Sequence, residues 1–135
     1  MKKQKYNKTF ISFSNGKIQM KETTHLLFSY GTLQLEKVQL ENYGRTLKGQ
    51  RDKLTSYKIE NLEITDSTVL AKSQLTNHPI AVKSENESDF IEGVLFEMTD
   101  RELAESDKYE VNQYHRKVET LESGKKAWVY VAKTK

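Results

Sequence analysis

Two short stretches of this chain carry residue types that could do chemistry. Tyr30-Gly31-Thr32-Leu33 follows the apolar run Leu26-Leu27-Phe28 and ends it in a polar turn. Gly31 removes the one side chain that would keep backbone amides away from a ligand, and amides presented this way suit a carboxylate or another small anion. The second stretch is Leu103, Asp107, Glu110 and Tyr114, spaced four, three and four apart, which puts them on one face if a helix persists that far. A stripe that mixes apolar residues with two carboxylates is odd for a structural helix, because a half-buried carboxylate must be hydrogen-bonded or employed. Each stretch also has an ordinary reading. A glycine after a strand is a plain turn, and carboxylates near a helix end are a solvated surface.

Several elements must hold these residues in place. Leu26 to Phe28 suit a strand covered on both faces. Beyond the loop, Leu35, Val38 and Leu40 predict a short helix over 35–43 with Gly44 as its stop, its first amides toward the ligand side. Thr99-Asp100-Arg101-Glu102 fits a capping box, so a second helix starts near Asp100. Alternation in 9–13 and 17–20 around Asn15-Gly16 predicts an N-terminal β-hairpin. Residues 54–64 and 69–75, separated by Asp66-Ser67, read as an antiparallel pair. Residues 84–89 form a charged loop expected to lie over a pocket. Residues 117–121 and 126–131 close the chain as a hairpin, with Trp128 and Tyr130 on the same side and Trp128 expected in the core.

Length and composition bound the rest. At 135 residues, with 36% hydrophobic and 30% charged residues, the chain fits one domain with an aromatic-rich core drawn from its seven Tyr and five Phe. The absence of cysteine excludes disulfides, thiolate nucleophiles and cysteine-ligated zinc, and fits a cytoplasmic location. No run approaches the ~20 apolar residues of a membrane helix, so no membrane partner is expected. The net charge of +3 is exceeded by Lys2, Lys3, Lys5 and Lys8 alone, and nothing calls for a nucleic-acid partner. His25, His78 and His115 lack paired spacing, so neither metal nor cofactor is expected.

The order of the pieces carries a resemblance. A Tyr-Gly-Thr-Leu loop (30–33), a Gly-x-Leu-Phe-x-Met strand (93–98), a helix ending Asp-x-Tyr-Glu (107–110), Tyr-x-Arg (114–116) and Ala-x-Val-Tyr-Val (127–131) together resemble the gamma-glutamylcyclotransferase-like family, in its avirulence-induced-gene-like or gamma-glutamylamine branch. The resemblance covers residues 25–132. It implies an α+β fold, a small mixed β-barrel with short helices outside, here with the basic arm and hairpin of residues 1–24 added to a domain over 25–135. The hairpin is expected to cover a barrel edge. Two departures stand out: Ser106 replaces the usual Leu before Asp107, and Val111 replaces the glycine after Glu110.

The resemblance also implies a reaction. The α-amine of a gamma-glutamyl compound curls back onto its γ-carbonyl, closing a lactam and releasing an amine together with 5-oxoproline. Glu110 is the implied general acid/base, Tyr30, Gly31, Thr32 and Leu33 bind the glutamyl end, and Tyr114 is a further substrate contact. Arg116 reads either as a substrate contact or as the ion-pair partner of Asp107. A non-catalytic ligand-binding module of the same fold and a partner-binding protein using the lysine-rich arm are the competing readings.

Overall fold

The computed structural model describes residues 9–14, 17–22, 24–63, 77–110 and 114–133. β1 (Thr9–Ser14) and β2 (Lys17–Glu22) pair antiparallel as a separate two-stranded sheet, from Thr9 opposite Glu22 to Ser14 opposite Lys17. The Asn15-Gly16 turn expected between them lies outside the described residues, as do residues 69–75 and Val111.

The main sheet has seven strands: β3 (Thr24–Ser29), β4 (Gly49–Thr55), β5 (Tyr57–Glu63), β6 (Asn77–Lys83), β7 (Phe90–Thr99), β8 (Tyr114–Thr120) and β9 (Lys126–Ala132). Their order is β4-β7-β3-β9-β6-β5, with β8 on the other side of β9. Two helices complete the fold, α1 (Glu36–Tyr43) and α2 (Asp100–Tyr109). Both start where the sequence analysis places them. Gly44 ends α1 at φ 75°, a left-handed turn that glycine adopts without strain. Thr99 and Glu102 form the full capping box of α2, with the Glu102 amide donating to Thr99 Oγ1 at 3.2 Å and the Thr99 amide donating to Glu102 Oε1 at 2.9 Å.

The expected barrel is not closed. The sheet order leaves β4 and β5 at opposite ends, although Ser56 alone separates them in sequence. Ser56 turns at φ 63° and spends its backbone on the 84–89 segment: its amide donates to the Asp89 carbonyl, and its carbonyl accepts from the Ser84 amide. The two ends therefore approach at this corner without forming a ladder. The stretch expected as one strand over 54–64 is thus two strands, and β5 pairs with β6. The 84–89 loop is held by the same corner and by Ser84 Oγ donating to Asp89 Oδ2 at 2.6 Å. No residue of it reaches the cleft described below.

Strand alternation sends neighbouring residues to opposite faces, producing two cores. Phe28, Leu95 and Val129 join Leu54, Tyr57 and Ala81 in one cluster, around which the sheet wraps. Leu27, Phe96, Met98 and Tyr130 pack against Leu33, Tyr43 and Leu103 in the other, beneath the helices. Gly93 is explained by this packing, since a Cβ there would collide with the Ser29 carbonyl and the Phe28 ring.

β9 is the strand on which the site depends. One of its edges pairs with β8 along its whole length. The other is shared: β3 runs parallel to it at Leu27–Trp128 and Phe28–Val129, then gives way to β6 at Ala81–Val131. At this fork the Tyr30 hydroxyl donates to the Tyr130 carbonyl at 2.6 Å and accepts from the Ala81 amide at 3.0 Å, bridging the strands where the ladder changes partner.

Candidate active site

The loop after β3 is anchored from below. Leu33 is buried in the helix-side core, and its carbonyl accepts from Gln39 Nε2 at 2.8 Å. Gln39, itself buried in α1, accepts the Leu47 amide on Oε1 at 2.9 Å, so both ends of its amide group are satisfied. Gly31 sits at φ −131° with open space on the side where a Cβ would stand. Its own fold does not demand glycine here, in contrast to Gly93.

Glu110 follows the last turn of α2, and its amide donates to the Ser106 carbonyl at 3.1 Å. The helix stops at Tyr109, and Tyr114 belongs to β8, so of the four residues expected on one helical face Asp107, Glu110 and Tyr114 meet through a helix end and a strand, while Leu103 is buried in the helix-side core. Ser106 is fully buried. Its hydroxyl donates to the Glu102 carbonyl at 2.9 Å and so accepts from Tyr43, 2.5 Å away. The departure from leucine at this position is thus accommodated by a buried tyrosine from α1.

A cleft of about 510 Å³ opens beside this helix end, lined by Asp107, Glu110, Tyr114, Arg116, Trp128 and Tyr130 together with His115. Arg116 and Asp107 form a bidentate pair, Nε to Oδ1 and Nη2 to Oδ2, both at 2.8 Å. The Tyr130 hydroxyl donates to the same Oδ1 at 2.8 Å, and the Arg116 guanidinium lies 4.2 Å over the Trp128 ring. Trp128, expected in the core, packs half-buried against the helix-side cluster and also walls the cleft. It shares its side of β9 with Tyr130, as the alternation requires.

The Tyr114 hydroxyl donates to the Pro79 carbonyl at 2.5 Å. Its proton is therefore committed to β6, while its ring faces the cleft. The loop 30–33 does not line the cleft, but it is joined to the helix end at one point. Thr32 Oγ1 and the Tyr109 hydroxyl are 2.6 Å apart, immediately before Glu110.

Burial raises the pKa of five tyrosines here, Tyr30, Tyr43, Tyr109, Tyr114 and Tyr130, with Tyr43 pushed up to about 12. The charge of Glu110 adds to that rise at every one of them. The Glu110 carboxylate thus stands near five phenols that stay protonated at neutral pH, one of which, Tyr130, is also hydrogen-bonded to Asp107. Among the described residues no cluster of three or more histidine, aspartate or glutamate side chains could hold a metal. No helix of the described residues is long and apolar enough to cross a membrane.

Of the residues singled out from the sequence, Glu110, Tyr114 and the Asp107–Arg116 pair come together on the cleft. Sequence reasoning missed Gln39, Tyr43 and the buried role of Ser106, whose only signal is a polar residue at a helical core position.

The family model for gamma-glutamyl cyclotransferase, AIG2-like, matches residues 27–135. Among solved structures, the fold is similar to that of an Arabidopsis thaliana protein at 22% identity and TM-score 0.64, with 83% of this chain and 64% of that one covered. It is also similar to a protein named gamma-glutamyl cyclotransferase, at 18% identity and TM-score 0.63, covering 83% and 68%. An uncharacterised Homo sapiens protein is similar at 18% identity and TM-score 0.64, covering 82% and 68%. The chain thus spans less than two thirds of the Arabidopsis protein, and at these identities the likeness establishes the fold. No curated protein matches the chain.

Proposed function

The chain belongs to the AIG2-like gamma-glutamyl cyclotransferase family, and from that premise we propose that it cyclises a gamma-glutamyl amine or peptide to 5-oxoproline. The observation that carries the reading is Glu110, a carboxylate at a helix end that lines a cleft and whose charge is felt by five buried or half-buried phenols around it.

The substrate supplies its own nucleophile. Its α-ammonium must lose a proton before nitrogen can attack the γ-carbonyl, and Glu110 takes that proton. Attack closes the five-membered lactam through a tetrahedral oxyanion. The protonated Glu110 then gives its proton to the departing nitrogen as the amide bond breaks, leaving 5-oxoproline and a free amine. Holding the glutamyl chain in its folded conformation supplies much of the rate, since enforced proximity is worth about 7–11 kcal/mol in well-oriented ring closures.

The backbone of Tyr30, Gly31, Thr32 and Leu33 binds the glutamyl end. Tyr30 serves there through its main chain, because its hydroxyl is committed to the fork at β9. The open space beside Gly31 lets a ligand approach the amides. Tyr114 contributes ring surface and a hydroxyl oxygen that can still accept.

The test is release of 5-oxoproline from a panel of gamma-glutamyl amines and peptides by the intact protein and by Glu110→Gln. Release that falls at least about a hundredfold in the variant fits a general base. Binding without release from any member would favour a ligand-binding module.

A further inference from the structure

The two parts of the proposed machinery come from distant stretches of chain and are framed differently. The 30–33 loop is braced on itself: the backbone amide and Nε2 of Gln34 both donate to the Gly31 carbonyl at 3.2 Å, and the Leu35 amide donates to the Thr32 carbonyl at 3.0 Å. Glu110 sits where α2 has already ended. Its φ of −71° and ψ of 146° are extended, so the regular turn of the helix sets the path of the chain only as far as Tyr109.

Between the loop and α2 the described residues show one hydrogen bond, that of Thr32 Oγ1 with the Tyr109 hydroxyl at 2.6 Å, across 77 residues of chain. The bond is exposed, and between mobile side chains an exposed bond contributes little because water replaces it. These two side chains are stiff. Thr32 is β-branched, with few rotamers open to it. The Tyr109 ring packs half-buried against the helix-side cluster, to which Leu33 of the same loop also belongs, so ring and loop share one support. Burial holds the Tyr109 pKa above its ordinary 10.0, which keeps the hydroxyl protonated and the bond intact at neutral pH. Glu110 is the next residue, so a displacement of Tyr109 reaches it through a single peptide unit. In a reacting pair, a misplacement of about 1 Å can cost about a hundredfold in rate.

We propose that Tyr109 is a positioning residue: its hydroxyl, bonded to the Thr32 side chain, sets the separation between the loop that holds the glutamyl end and the Glu110 carboxylate. This rests on the cyclotransferase reading of the same site.

The test measures kcat and KM for 5-oxoproline release, using the member of the gamma-glutamyl panel that the intact protein releases fastest. Tyr109→Phe keeps the ring and its packing, and Thr32→Val keeps the branched side chain, so both should unfold close to the parental temperature. Each should lower kcat about five- to tenfold with KM within about twofold of the parent, because the loop backbone that binds the glutamyl end is unchanged. The double variant should lose no more than either single one, since both remove the same bond. Thr32→Ser retains the hydroxyl and should keep kcat within about twofold of the parent.

A kcat for Tyr109→Phe within about twofold of the parent, losses that multiply in the double variant, or a rise in KM at constant kcat overturns the positioning role and leaves the cyclotransferase reading standing. No 5-oxoproline from the intact protein overturns that reading, and the positioning role with it.

Discussion

The two faces of the sheet solve the same packing problem by opposite means. The cluster around which the sheet wraps is mostly aliphatic, with Phe28, Leu54 and Val129 at 0–1% exposure and a buried tyrosine, Tyr57, among them. The helix-covered face gathers more tyrosines, and their hydroxyls have partners: Tyr43 on Ser106, Tyr114 on Pro79, Tyr130 on Asp107. The first arrangement gains mainly from burial. The second accepts the desolvation of polar groups and offsets it with directional bonds, which fixes geometry as well as adding stability. The difference teaches why the candidate site lies on the tyrosine face. A carboxylate can be kept there among several oriented phenols, whereas in the other cluster the buried phenol of Tyr57 already donates to Glu119.

The sharpest way to break this comparison is to change one residue on each face. With Glu110 as the proposed general base, Glu110→Gln should lower 5-oxoproline release by about 10²–10⁴-fold with little change in thermal unfolding. Phe28→Ala should do the reverse, costing about 3–5 kcal/mol in denaturant unfolding while KM in the surviving folded fraction stays close to that of the parent. If both substitutions reduced stability alike, the division between the faces would not hold.

The two glycines sharpen it further. Gly93→Ala should cost about 1–3 kcal/mol or more, since the atoms it meets include a backbone carbonyl that cannot step aside. Gly31→Ala meets no protein atom, so its melting temperature should be nearly unchanged while the affinity for a gamma-glutamyl compound falls. Equal thermal losses would show that Gly31 serves the fold.

The smallest effect concerns pH. The Arg45 guanidinium hydrogen-bonded to Glu102 holds that carboxyl below its usual 4.5. A carboxylate with a depressed folded-state pKa contributes stability that is fully present above the unfolded value and is lost as pH falls through the folded one. Melting temperature should therefore decline below about pH 4.5 in the parent, and less steeply in Glu102→Gln. Parallel curves would remove the pair from the acid response.

Local signals made much of this legible. The capping box at Thr99, the stop at Gly44 and the alternation of 126–132 are all written in neighbouring residues, and they gave α2, α1 and β9 near their observed limits. The Asp107–Arg116 pair was also foreseeable from charge and proximity. What was not legible depends on partners far away in sequence. Residues 54–64 read as one strand because a serine at positive φ has no local signature. Trp128 was legible as a residue packed on the core but not as a cleft wall, because the cation stacked on it, Arg116, becomes its neighbour only through β8 pairing with β9. Ser106 and Gln39 make sense only once Tyr43 and Leu33 are beside them.

The Tyr30 hydroxyl has a consequence for the order of assembly. Its two bonds span 51 and 100 residues of chain, reaching β6 and β9. Contacts of such long range cannot form until the segments between them have been ordered, which places them late in folding. The loop that would grip the substrate is therefore pinned only when the final strand has docked. A chain released or truncated before β9 would carry Glu110 and the Tyr-Gly-Thr-Leu motif and still lack the geometry that joins them, so competence at the site reports completion of the fold.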